Sequence, residues 1–206
     1  MAEKTILDVC CGSRMFWFDK SDERVIFCDK RKEYHHLSYP SGEFHVDVSP
    51  DVLSSFTALP FPSNHFQAVV FDPPHLKKVD TKSWTFKKYG MLGNEWQILL
   101  RDGFSECLRV LHPSGILIFK WSSIQLPISE VLKLTTARPL FGHPSGKNGL
   151  THWVAFTKPN TACTPTAFGV GTAAVIPLQS PLFADVLSAT HGGGLRKPLG
   201  ASCAKE

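Results

Sequence analysis

Four short apolar runs recur between polar turns: TILDVC (5–10), RVIFC (24–28), QAVVF (67–71) and GILIFKW (115–121). They are rich in Val, Ile and Phe and nearly continuous instead of alternating, the pattern of strands buried on both faces. Between the last two runs, NEWQILLRDGFSECLRVL (94–111) places Trp96, Leu99, Leu100, Phe104, Leu108 and Leu111 at helical intervals. That spacing predicts an amphipathic helix, capped by Asn94 and ended before Pro113. A shorter helix is predicted over PISEVLKL (127–134). ARPLF and THWVAFTK flank GHPSGKNGL, a glycine-rich turn that suits an antiparallel strand pair. Strands alternating with helices predict an open, mostly parallel α/β sheet, which binds ligands outside the carboxyl ends of its strands. Three polar stops fall there: Asp8-Val-Cys-Cys-Gly12 after the first strand, Asp29 after the second, and Asp72-Pro-Pro-His75 after QAVVF.

Past Lys158 the pattern changes. Residues 160–206 are rich in Ala, Thr, Ser, Gly and Pro, and their only charges are Asp185, Arg196, Lys197, Lys205 and Glu206. Such a stretch is expected to be an appended disordered tail, with one weak helical turn at PLFADVLSA (181–189). The rest, residues 1–159, is long enough for one domain with a full core.

Composition narrows the class. With 43% hydrophobic and 19% charged residues, the chain has the balance of a soluble globular protein. The net charge of +4 permits an anionic partner without demanding one. No apolar run approaches the roughly 20 residues needed to span a bilayer, so no membrane partner is expected. The start, MAEKTILDVCC, has no signal-peptide pattern, which points to a cytoplasmic setting. There the six cysteines are expected to be free thiols. Cys10 and Cys11 are adjacent with no C-x₂-C spacing, so they read as small apolar residues at a strand end and no metal site is predicted. His35, His36 and His45 likewise lack metal spacing, and His143 reads as an exposed loop residue.

The polar stops carry the chemistry. An acid at a strand end with glycine nearby, as in Asp8 and Gly12, lets backbone amides approach a ligand. Asp29 stands where a doubly wound fold places the acid that grips a ribose diol, although a helix N-cap would also use an acid there. In VVFDPPH, two prolines bias the chain at Asp72 and Pro73 toward extended backbone and remove two N–H groups. This is either a rigid turn or a device for holding acceptors still. The segment LKKVDTKSWTFKKYGMLGNEW interleaves Lys77, Lys78, Lys82, Lys87 and Lys88 with Trp84, Phe86, Tyr89 and Trp96. Lysines suit phosphates and rings suit an unpaired base, while a lid over a ligand would use the same residues. In Lys120-Trp121 and His152-Trp153, core packing explains the tryptophans at least as well as substrate contact does.

Taken in order, the acid-and-glycine loop, the acid after the second strand, ALPFPSNHFQAVVF and D-P-P-aromatic resemble the class I S-adenosylmethionine-dependent methyltransferases. D-P-P followed by an aromatic residue resembles the signature of amino-methyltransferases acting on exocyclic amines, typified by adenine N6 enzymes. DVCCGSRMFWF, FDPPHL, YGMLGNEW, LIFKW and THW together look like a small methyltransferase family common in phages and prophages. The match spans residues 4–158, with 160–206 as the tail.

The resemblance implies a Rossmann-like doubly wound α/β sheet of seven strands, mostly parallel with the last antiparallel, and S-adenosyl-L-methionine as cofactor. Asp8, Cys10 and Gly12 would hold its methionine part, Asp29 its ribose, and Ser55 with Phe56 its adenine. Two departures are visible: the first loop has one glycine, and Ser55 stands where the family has an acid. The few residues between Gly12 and the second strand imply a short first helix. Asp72, Pro73, Pro74 and His75 would be catalytic. The Asp72 carboxylate and Pro73 carbonyl would accept the N–H groups of the amine, and His75 would stack on its ring. Lys77, Lys78, Trp84 and Tyr89 would contact substrate, expected to be adenine N6 in DNA or RNA. Alternatives are a small-molecule or protein amine, or a non-catalytic nucleic-acid-binding module on the same scaffold. Carbon-5 cytosine methylation is disfavoured, since none of the six cysteines lies in the DPPH loop after QAVVF, where its nucleophile should sit.

Overall fold

The computed structural model describes residues 3–40 and 42–159. Its strands are β1 (Ile6–Asp8), β2 (Val25–Asp29), β3 (Glu33–Tyr39), β4 (Gly42–Val48), β5 (Val52–Leu53), β6 (Phe66–Phe71), β7 (Leu111–Ser122), β8 (Pro139–Ser145) and β9 (Thr151–Thr157). Seven of them form one sheet in the order β5-β2-β1-β6-β7-β9-β8, and β3 pairs with β4 as a separate hairpin. The five strands from β5 to β7 run parallel. The last strand, β9, is antiparallel to both its neighbours, β7 and the edge strand β8. The expected Rossmann-like α/β sheet is present.

The order of the strands explains where the site lies. From β1 the chain steps to one side for β2 and β5, then returns to β6 on the other side. A crevice opens at such a reversal beyond the carboxyl ends of the strands. Asp8, Asp29 and Asp72 stand at those ends.

The helices are α1 (Trp84–Tyr89), α2 (Trp96–Val110) and α3 (Ile128–Leu132). The apolar stripe of α2 buries Trp96, Leu100, Phe104, Cys107 and Val110. Phe104 meets Phe71, Phe119 and Phe156 of the sheet at ring-centroid distances of 5.3, 4.8 and 5.9 Å. Gly103 permits this approach: a Cβ there would lie 2.7 Å from Phe56 and 2.8 Å from Phe71. The predicted Asn94 cap is corrected. Gly93 turns the chain with φ +78, and the Glu95 carbonyl accepts the first helical bond, from the Leu99 N–H at 3.0 Å. Glu95 is therefore the N-cap, without a side-chain bond.

A second correction concerns the expected short first helix. Residues 9–24 form turns, with Gly12 and Arg14 in left-handed conformations at φ 48 and 53. Their consecutive aromatic residues cannot share one helical face; Trp17 packs on Phe27 and Phe16 on Trp153 instead. Between β2 and β5 the β3–β4 hairpin takes the place of a helix. The sheet's two faces are therefore covered unequally. Leu117 and Phe119, on the α2 side of β7, are fully buried, whereas Ile116 and Ile118 are only half-buried. The tail expected over 160–206, with PLFADVLSA, lies outside the described residues.

Candidate functional site

A cleft opens at the carboxyl ends of β1, β2, β6 and β7. Its first wall is the loop after β1. Asp8 is 2% exposed; its Oδ1 accepts the Cys10 N–H at 3.1 Å and its Oδ2 the Trp17 indole N–H at 2.7 Å. Burial pushes its carboxyl from the ordinary 3.8 up to about 7, against the lowering effect of those two bonds; nearby Asp72 and Asp29 add to the rise. The same burial raises the Cys10 thiol, which stays protonated and inert.

The Asp8 shift carries a sign that can be tested. Below about pH 4 this carboxyl is protonated whether the chain is folded or not. As pH rises toward about 7 the unfolded chain releases the proton while the folded chain keeps it, so stability falls through that window and is flat above it. Asp8→Asn removes this slope. Its melting temperature minus that of the wild type is expected to climb through the same window and then level off; a difference independent of pH would contradict the assignment.

Asp29 ties the first loop to the second strand. Its Oδ2 accepts the Gly12 N–H at 3.0 Å and its Oδ1 the Arg31 N–H at 2.9 Å. The Arg31 guanidinium lies 3.5 Å from Oδ1, and its Nη1 donates to Glu33 Oε1 and to the Lys87 carbonyl, both at 3.0 Å. Arg31 thus joins the acid at the end of β2 to the hairpin and to α1. Beside Asp29, a Cβ on Gly12 would meet nothing within 4 Å, and the buried Ser13 hydroxyl has no hydrogen-bond partner. Phe56 lines the cleft and packs on Phe71 at 5.5 Å. Ser55 stays outside the lining, its hydroxyl bonded to that of Thr57 at 2.8 Å.

The opposite wall is the turn after β6. Asp72, Pro73, Pro74 and His75 all line the cleft. Gly90, with φ +72, lets the end of α1 close on this turn; a Cβ there would stand 3.4 Å from Pro74 Cγ. His75 lies 5.9 Å from Tyr89 and 6.4 Å, edge to face, from Trp121. Burial holds its imidazole below the usual value, and Lys120 adds to this, while Asp72 opposes it.

Sequence reasoning gave Lys120 no site role, yet its Nζ donates to Asp72 Oδ2 at 2.6 Å. The parallel register accounts for the contact. Phe71 is paired with Phe119, so the next residues, Asp72 and Lys120, emerge side by side. The signal was the shared strand ending, V-V-F-D against L-I-F-K, and reading it requires the register.

Of the four substrate candidates, Tyr89 lines the cleft, and its neighbour Lys88 does so too. Lys77 and Lys78 are exposed and outside the lining, their N–H groups donating to Gln125 Oε1 at 2.8 and 2.9 Å. Trp84, also outside the lining, packs on Phe44 of the hairpin at 5.2 Å. Trp121 is fully buried, so its role is packing. Among the described residues there is no group of His, Cys, Asp and Glu able to hold a metal, and no helix long and apolar enough to cross a membrane.

No protein-family model and no curated protein matches the chain. Solved structures do. The chain is similar to the PH0226 protein of Pyrococcus horikoshii, with 14% identity, a TM-score of 0.48, and coverage of 74% of this chain and 81% of that one. A TehB-like SAM-dependent methyltransferase from Corynebacterium glutamicum is similar at 12% identity and TM-score 0.45, over 76% of this chain and 82% of that one. The N-methyltransferase NodS from Bradyrhizobium japonicum is similar at 11% identity and TM-score 0.45, over 75% of this chain and 85% of that one.

Proposed function

We propose that this chain is an S-adenosylmethionine-dependent methyltransferase acting on an exocyclic amine, with adenine N6 of DNA or RNA as its substrate. The observation that carries the reading is the shared cleft. Asp72, held by two prolines at the rim of the sheet, faces the same space as the Asp29–Gly12 corner.

The residues present fit the cofactor. The open space at Gly12 leaves room for a close approach, and the unpartnered Ser13 hydroxyl awaits a polar group. Asp29 has the chemistry to accept ribose hydroxyls, and Phe56 offers an apolar face to adenine. Asp8, buried behind this corner, shapes the loop by accepting the Cys10 and Trp17 N–H groups. When bound, the cofactor supplies a methyl group activated on a sulfonium.

The chain's own residues do the rest. An aromatic amine is a weak nucleophile because its lone pair is delocalised into the ring. Asp72 accepts one N–H and the Pro73 carbonyl the other, which favours a pyramidal nitrogen and frees the lone pair. Because the prolines fix this stretch in advance, little reorganisation remains at the moment of reaction. His75, kept neutral by burial, and Tyr89 flank the ring. Lys88 and Arg31 at the cleft, with the exposed Lys77, Lys78 and Lys82 nearby in sequence, suit a phosphate backbone.

The test is direct. The full chain is incubated with S-adenosylmethionine and an adenine-containing single strand, and the digested product is analysed by mass spectrometry for N6-methyladenine. Cofactor binding is measured in parallel by calorimetry. Methylated adenine is the expected result. Binding without adenine methylation would move the substrate to a free or protein amine. No cofactor binding at millimolar concentration would overturn the enzyme reading and leave a nucleic-acid-binding module.

A further inference from the structure

We infer that Lys120 is a selectivity residue: by occupying one oxygen of Asp72 it confines the site to amines that are uncharged at neutral pH. The inference rests on the methyltransferase reading above and names the residue that holds its substrate class to aryl and heteroaryl amines.

The argument begins with the charges in the cleft. Each of its three carboxylates already has partners. Asp8 accepts from Trp17 and Cys10, Asp29 from Gly12 and Arg31, and Asp72 Oδ2 from Lys120. The cations Lys30, Arg31, Lys88 and Lys120 line the same space. An alkylammonium entering here finds no carboxylate free to act as its counter-ion, and it approaches Asp72 beside the ammonium of Lys120. A neutral NH₂ needs only an acceptor, and the ion pair leaves Asp72 Oδ1 for it.

Lys120 is held in place from two sides. Its Nζ lies 5.9 Å from the ring centroid of Trp153, the residue opposite it on β9. Trp153 is itself fixed by its indole N–H donating to Ser145 Oγ at 3.1 Å and by Phe16 at 5.0 Å. Both members of the pair are only about a quarter exposed, at 28% and 25%, so solvent screens their charge incompletely. The THW segment, which otherwise has no part in the chemistry, thereby gains one: it seats the lysine.

The chemistry agrees with this selection. The nitrogen lone pair forms the N–C bond, the C–S bond breaks, and its electron pair returns to sulfur as a neutral thioether. The nitrogen then loses one proton, to Asp72 and onward to water. A protonated alkylamine has no lone pair to donate, and a carboxylate is far too weak a base to take its proton, whereas it can take the proton of the much more acidic arylammonium formed by transfer.

The experiment compares aniline, neutral at neutral pH, with benzylamine, which is protonated, alongside an adenine-containing strand. Wild type, Lys120→Arg, Lys120→Met and Lys120→Gln are assayed, and circular dichroism confirms that each variant folds. Wild type and Lys120→Arg are expected to favour aryl over alkyl amine by about a thousandfold, and Lys120→Met and Lys120→Gln to lose about a hundredfold of that ratio. A purely structural ion pair would lower both rates together and leave the ratio unchanged, which would overturn the proposal. Wild-type transfer to benzylamine as fast as to aniline would overturn it while sparing the methyltransferase reading. Transfer to no amine at all, with no cofactor binding, would overturn both.

Discussion

Replacing Asp72 with alanine is expected to lower methyl transfer by at least about a thousandfold while S-adenosylmethionine binding changes less than about threefold. The asymmetry follows from position. Asp72 stands on the wall formed by the turn after β6, whereas the groups suited to the cofactor, Asp29, Gly12 and Ser13, stand on the wall after β1 and β2. On the proposed mechanism, loss of the carboxylate removes the acceptor that frees the amine's lone pair, and it strands Lys120 without its partner. Asp72→Asn separates these effects. It keeps the side chain's shape and one oxygen acceptor but presents an NH₂ group where Oδ1 or Oδ2 stood, so activity should remain low while folding is preserved. Single-turnover rates together with calorimetry check the expectation. Turnover within about tenfold of wild type would remove Asp72 from the mechanism.

Trp121→Ala is expected to destabilise the fold by about 3–5 kcal/mol. The indole is fully buried, stacks on Phe119 at 5.9 Å and donates to the Leu126 carbonyl at 2.9 Å. Alanine leaves a cavity and an unsatisfied acceptor. Trp121→Phe keeps most of the volume and should cost about 1–2 kcal/mol, chiefly the lost hydrogen bond. The cavity opens directly under His75, whose ring lies edge-on to the indole. Urea unfolding measures the loss, and a change under about 1 kcal/mol would mean that the core closes over the gap.

The strands were legible because burial selects continuous apolar runs. QAVVF became β6 and GILIFKW became most of β7. The helix at α2 was legible from its period, which survives Gly103 because the stripe on either side is intact. Residues 9–24 were not legible, since Phe16, Trp17 and Phe18 point in different directions and each is fixed by a distant partner or by none. Phe16 meets Trp153, Trp17 meets Phe27 and Asp8, and Phe18 is exposed. The β3–β4 hairpin did leave a signal, alternating half-buried and exposed positions with Pro40 and Gly42 at its turn. Histidines and tyrosines masked that alternation, because they are neither clearly apolar nor clearly polar.

In the candidate site, the acids were visible as strand stops and DPPH as a rigid turn at a strand end. The pairing of Asp72 with Lys120 spans 48 residues and depends on strand register, which no local pattern encodes.

Arg31 has one further consequence. A single guanidinium clasps the acid at the end of β2, the root of the hairpin and the last turn of the lysine-bearing helix. It works as a hinge-pin: neither rim of the crevice swings outward without straining the other. Any group that settles against Asp29 would therefore also steady the lysine-bearing helix on the far side of the crevice.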